Sequence, residues 1–174
     1  LTLFVSTPFA SHHALRSVCR RANHLLQTKE FRKLRLKVGC AEHGVIVAGG
    51  KTAAPTADCW LLASSRWRPI APLSAPRSRA CSAVLRGEMW LIGGNDGARV
   101  LGTVEVYNPR ENAWRLVAPL REPREGAVCA VMGSSIVVAG GRGPDGHLTS
   151  VETYCPVADA WAPLPSMPHG AYFA

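Results

Sequence analysis

Catalysis needs nucleophiles, proton carriers or metal ligands at workable spacing, and this chain offers few. Its six cysteines, Cys19, Cys40, Cys59, Cys81, Cys129 and Cys155, stand singly. None forms a Cys-x-x-Cys pair or sits beside a His at zinc-ligand spacing. Most lie in apolar runs, such as Ala80-Cys81-Ser82-Ala83-Val84 and Val128-Cys129-Ala130-Val131, where a thiol acts as a small apolar side chain. Buried free thiols in a reducing compartment, cytosol or nucleus, are therefore expected; a secreted disulfide framework is the alternative. His12 and His13 are adjacent, so on a helix they point in different directions, and they read as helix surface. His43, His147 and His169 are far apart in the chain. Nucleophile-elbow and phosphate-loop patterns are absent. No catalytic residue, metal or cofactor is expected.

Formal net charge is +8, and most of it belongs to residues 1–37, where eight basic side chains face only Glu30. Arg20, Arg21, Arg32, Lys33, Arg35 and Lys37 could follow a nucleic-acid backbone. Phe31 is the lone aromatic among them, so the stripe reads as a solvated helix face or linker, and no nucleic-acid partner is expected. No apolar run approaches the roughly 20 residues of a membrane-spanning helix. Leu1-Thr2-Leu3-Phe4-Val5 lacks the basic flank of a signal peptide. Because the first residue is Leu, the true N-terminus is expected to lie upstream.

The elements that would position any site come in a repeat. Gly49-Gly50, Gly93-Gly94 and Gly140-Gly141 each end an apolar run, at intervals of 44 and 47 residues. Trp67, Trp114 and Trp161 recur every 47 residues. So do the acidic-x-aromatic triplets Asp58/Trp60, Glu105/Tyr107 and Glu152/Tyr154. Pro72-Leu73 and Pro76-Arg77 return 47 residues later as Pro119-Leu120 and Pro123-Arg124. Five landmarks in one register define a repeating unit. Turn residues divide it into four short strands. The glycines mark close backbone approach or positive φ, and the aromatics are bodies to pack between sheets. A four-stranded sheet alone cannot bury both faces; fanning such sheets around an axis can.

This pattern of Gly-Gly, Tyr and Trp resembles the kelch repeat. The resemblance implies an all-β, partial β-propeller of about three four-stranded blades, preceded by a short α-helical segment. The blades would cover residues 39–76, 77–123 and 124–168, with a further blade beginning at 169–174. Trp60 stands where the family has Tyr. Some kelch-like propellers resemble galactose oxidase and bind copper through a Tyr/Cys/His set; here Tyr107, Tyr154 and Tyr172 take repeat or strand positions instead.

Residues 1–38 read differently. Leu15, Val18, Cys19, Ala22, Leu25 and Leu26 fall on one face of a helix, with Ser11 as N-cap. The run Leu15-Arg16-Ser17-Val18-Cys19-Arg20-Arg21, with Leu25-Leu26 and Phe31-x-x-Leu34-Arg35, resembles the second half of an F-box. That resemblance implies a substrate receptor of a cullin–RING ubiquitin ligase. A Skp-type adaptor would dock on the helical face, and the propeller would hold the target protein. A kelch scaffold with no ubiquitin role is the alternative.

Target contact is expected from residues that vary between repeats, in the loops after Gly-Gly and after the fourth strand. These are Arg79, Asn95, Asp96, Arg99, Arg121, Glu122, Arg142, Asp145 and His147. Their signs are mixed with a basic excess, which fits an acidic target patch. The repeated Arg77 and Arg124 are expected to be structural.

Overall fold

The computed structural model describes residues 44–51, 53–63 and 66–172. The expected helical segment, with Leu15, Val18, Cys19, Leu25 and Leu26, lies outside the described residues. Among the described residues every regular element is a strand. The first sheet holds β1 (Val45–Ala48), β2 (Cys59–Ala63) and β3 (Arg66–Ile70) in chain order. The second holds β4 (Cys81–Leu85), β5 (Glu88–Ile92), β6 (Val104–Asn108) and β7 (Ala113–Val117). The third starts with β8 (Val128–Met132) and β9 (Ser135–Ala139). A small separate hairpin follows, β10 (Arg142–Gly143) and β11 (Gly146–His147), where the turn residues predict only a loop. The third sheet then closes with β12 (Val151–Cys155) and β13 (Ala160–Leu164). All pairings are antiparallel, and each strand lies beside its chain neighbour except that β9 pairs with β12 across the β10–β11 hairpin.

Strand period decides where the core lies. Side chains alternate between faces, so a sheet packed on both sides needs apolar residues at every position of its central strands. The second sheet has this: Met89 and Leu91 of β5 pack toward the first sheet, and Trp90 and Ile92 toward the third. The first seam joins Ile46, Ala48, Cys59, Ile70 and Leu73 to Met89, Leu91 and Tyr107. The second joins Cys81, Ala83, Trp90, Val104 and Val106 to Ile136, Val138, Tyr154 and Trp161. Each fully buried aliphatic or aromatic contributes about 1.5–3 kcal/mol. Strands β4 and β8 approach one another directly, so the blades converge at their first-strand edges. The opposite face of the third blade leaves Val128, Met132 and Leu164 exposed.

The first blade departs from the repeat in two ways. It has three described strands where four were expected. Its tryptophans are also out of register. Tyr107 faces Trp114 across β6–β7, and Tyr154 faces Trp161 across β12–β13. Trp60, however, faces Pro69, and Trp67 faces Leu62. The cause is the connection: four residues separate the later strand pairs, but only two separate β2 from β3. Trp60 and Trp67 are 44% and 51% exposed, so the buried inter-sheet role expected of them is not filled here.

Candidate functional site: the blade seams and the loop end they hold

Each seam is closed by two polar clamps. The first is built on the Pro-Arg step. The main chain of Arg77 belongs to the first blade: its N–H donates to Thr56 O at 3.1 Å, and its carbonyl accepts from Gly50 N–H at 2.8 Å. Its side chain turns into the second blade. There Nη1 donates to Gly93 O and Thr103 O, each at 3.2 Å, and Nη2 pairs with the Glu105 carboxylate. Arg124 repeats every contact one blade on. Its N–H donates to Leu101 O at 3.1 Å, and its carbonyl accepts from Gly94 N–H at 2.8 Å. Its Nη1 donates to Gly140 O at 2.9 Å and Ser150 O at 3.1 Å, and its Nη2 pairs with Glu152 at 2.7 Å. The glutamates are held in turn by backbone N–H groups, Ser74 on Glu105 and Arg121 on Glu152, both at 2.9 Å. These ions are almost fully buried, which is tolerable only because each is paired and hydrogen-bonded. Burial lowers the Arg77 pKa, and Glu105 opposes that shift.

The glycine doublets are the other half of this clamp. All six glycines have positive φ, from 63° to 115°. A methyl group on Gly93 would run into Arg124 O, one on Gly94 would lie 2.6 Å from Ser78 O, and one on Gly141 would lie 2.7 Å from Glu125 O. The doublet therefore admits the inter-blade backbone on both sides, Arg124 O at Gly93 and Ser78 O at Gly94, which a side chain would prevent. At Gly141 the acceptor is Ala171 O, at 2.6 Å. Ala171 stands 47 residues after Arg124, so this junction keeps the main-chain bond without a guanidinium.

The second clamp uses the tryptophans. Trp114 Nε1 donates to Ala71 O at 2.8 Å, and Asn112 Oδ1 accepts from Ala71 N–H at 3.1 Å and from Tyr107 Oη at 2.8 Å. Trp161 Nε1 donates to Ala118 O at 2.9 Å, and Asp159 Oδ1 accepts from Ala118 N–H at 3.1 Å and from Tyr154 Oη at 2.6 Å. The second and third blades thus each grip both backbone groups of one alanine in the blade before. Asn112 and Asp159 have φ of 50° and 44°, a left-handed turn that Asn and Asp adopt most readily after Gly. Burial and the Asp159 carboxylate push the Tyr154 phenol up to about 12. The Tyr154 hydroxyl and the Ala118 N–H hold Asp159 below the usual carboxylate range. Sequence reasoning missed Asn112 and Asp159, though Tyr-x4-[Asn/Asp]-x-Trp carries the signal; the first blade has Ser65 at that place.

Antiparallel strand order puts short turns at one end of the blades and the inter-strand and inter-blade loops at the other. All nine expected contact residues lie in the second group, and bonds tie them together. Ser78 bridges to Asn95, and Glu125 to Arg142. Gly126 N–H donates to Arg79 O at 2.8 Å, linking successive inter-blade loops. Arg79 reaches Glu125 at 3.4 Å. Asp96 is taken up locally: its Oδ1 accepts from the Ala98 and Arg99 N–H groups at 2.9 and 2.8 Å, and its Oδ2 meets Arg99 Nε at 3.2 Å. These bonds hold its carboxyl below the usual range. Glu122 accepts from Ser150 Oγ and so is partly committed to the fold. Arg79, Arg99, Arg121, Arg142, Asp145 and His147 present exposed side chains. Among the described residues, no group of three or more His, Cys, Asp and Glu is arranged to hold a metal ion.

The family model described as Kelch motif matches residues 76–121 and 123–168, more than half of the chain. Human Kelch-like protein 30 is 32% identical over 89 residues, 46% of this chain and 15% of that protein. Kelch-like protein 24 of rat is 33% identical over 86 residues, 48% of this chain and 14% of that protein. The matched segment is thus a small fraction of those relatives' length. The solved structure of YjhT superposes with a TM-score of 0.65 at 19% identity, covering 74% of this chain and 50% of that one, a likeness of fold.

Proposed function

The chain belongs to the kelch-motif family, and from that premise we propose that it is a non-catalytic scaffold that binds a protein target on the loop end of its blades. The observation that carries this reading is the division of labour in the repeat. Residues that recur every 47 positions, such as Arg77/Arg124 and Trp114/Trp161, are spent on the seams. At the loop end, where the longer connections lie, the side chains differ between repeats, as in Arg79/Gly126, Asn95/Arg142 and Arg99/Gly146. Arg79, Arg99, Arg121 and Arg142 dominate that end, so the target surface is acidic and its capture weakens with salt.

The finer role is substrate receptor of a cullin–RING ubiquitin ligase. The F-box-like run around Leu15, Val18, Cys19, Leu25 and Leu26 supports it, as the docking face for a Skp-type adaptor. Its setting is the cytosol or nucleus, consistent with single thiols in apolar strands. The experiment is affinity purification of the chain from cells, with a Leu15→Asp/Leu25→Asp variant alongside. Recovery of a Skp-type adaptor with the parent and not with the variant supports the ligase role. Recovery of a target without any adaptor leaves the scaffold and refutes the ligase.

A further inference from the structure

Two cysteines from neighbouring blades line the second seam. Cys81 opens β4 opposite Ile92, and Cys129 lies in β8 opposite Val138. Cys81 belongs to the cluster of residues that fills this seam, and Cys129 packs against the same cluster. Strands β4 and β8 are the first strands of their blades and approach one another directly. The Cys81 thiol donates to Ile92 O at 3.8 Å, and Cys129 comes from the β8 strand packed directly against β4. The other described cysteines sit elsewhere, Cys59 buried in the first seam and Cys155 exposed at the end of β12. The 47-residue repeat does not call for this pair: Val128 stands one repeat after Cys81, and Ser82 one repeat before Cys129.

We propose that Cys81 and Cys129 form a reversible disulfide that ties the second blade to the third when the chain meets a low-molecular-weight disulfide such as oxidised glutathione. Cys129 is the more exposed of the two and reacts first. Its thiolate attacks one sulfur of glutathione disulfide, forming a mixed disulfide and expelling one glutathione thiolate. Cys81 then loses its proton to water, and its thiolate attacks the Cys129 sulfur. The second glutathione thiolate leaves and takes up a proton. In total two protein thiols are oxidised and one glutathione disulfide is reduced to two thiols. The Cys129 thiol and burial hold the Cys81 proton well above the ordinary thiol range, so the second step is the slow one and speeds up as pH rises. In a strongly reducing medium the seam stays open as a dithiol. Closed, the bridge fixes the inner strands that carry the Arg79 and Glu125 loops.

The test is to hold the folded 174-residue chain in glutathione buffers of graded oxidised-to-reduced ratio. Free thiols are then blocked with N-ethylmaleimide and the tryptic peptides are mapped. The expected product joins Ala80–Arg86 to Glu125–Arg142, disappears with dithiothreitol, and accumulates faster as pH is raised. Cys129→Ser should abolish it, whereas Cys59→Ser and Cys155→Ser should leave it intact. Glutathione left on Cys129 with Cys81 still free, or a cross-link seen only in urea, would overturn the proposal.

Discussion

Replacing Arg124 by Met tests the inner clamp while keeping most of the side-chain volume. The change removes the partner of Glu152 at 2.7 Å and the donors to Gly140 O and Ser150 O, all in a seam closed to water. Removing one member of a buried pair typically costs 3–5 kcal/mol, because the other charge is left without compensation. With a urea dependence of about 2 kcal/mol per molar, the unfolding midpoint falls by roughly 2 M. Tryptophan fluorescence is a suitable readout, since Trp90 and Trp161 both lie in this seam. The companion is Glu152→Met, alone and combined with Arg124→Met. If the two side chains act as a pair, the double variant loses less than the sum of the singles. A loss below about 1 kcal/mol for Arg124→Met, or strict additivity, would refute the clamp.

Trp114→Ala should cost about 3–5 kcal/mol, since it also empties the contact with Tyr107 and frees Ala71 O. Trp67→Ala, at an exposed position, should stay within about 1 kcal/mol in the same urea titration. Gly87→Ala should lose about 1–2 kcal/mol for its left-handed φ alone. Gly93→Ala should lose about 4 kcal/mol or more, because its methyl group meets Arg124 O; equal losses at the two sites would contradict the junction. For Tyr154, the folded pKa of about 12 lies above the ordinary 10.0. The stability it contributes is therefore complete below pH 10 and lost as pH rises through 12. Tyrosinate absorbance should show one late-ionising tyrosine, and Tyr154→Phe should flatten the stability profile in that window.

The repeat was legible because seam residues are chosen by sterics and recur with the blade. Gly93-Gly94, Tyr107 and Trp114 are each the residue type that one backbone approach or one inter-sheet space requires. What escaped were relationships between landmarks. Pro-Arg and acidic-x-aromatic were visible as separate marks, yet nothing in their linear order shows that Arg77 reaches Glu105 across 28 residues. Asn112 and Asp159 were hidden because a turn composition is expected there anyway. The first blade misled for a local reason. Trp60 and Trp67 keep the seven-residue spacing of Tyr107 and Trp114, but a connection two residues shorter shifts the pairing. The nine residues share one end of the blades because strand alternation fixes which connections lie together, although Arg142 and His147 form the β10–β11 hairpin there and not an open loop. Which of them are committed to the fold, as Asp96 is, depends on side-chain bonds that spacing does not encode.

The most direct test of the account compares charge reversal at the two ends of the blades. One variant carries Arg99→Glu, Arg121→Glu and Arg142→Glu on the loop end; the other carries Arg86→Glu and Arg110→Glu on the turn end. Proteins recovered by proximity labelling are then compared with those of the parent chain. The loop-end variant should lose the parent's protein targets and the turn-end variant should keep them. Targets lost from the turn-end variant, or kept by both, would contradict the assignment.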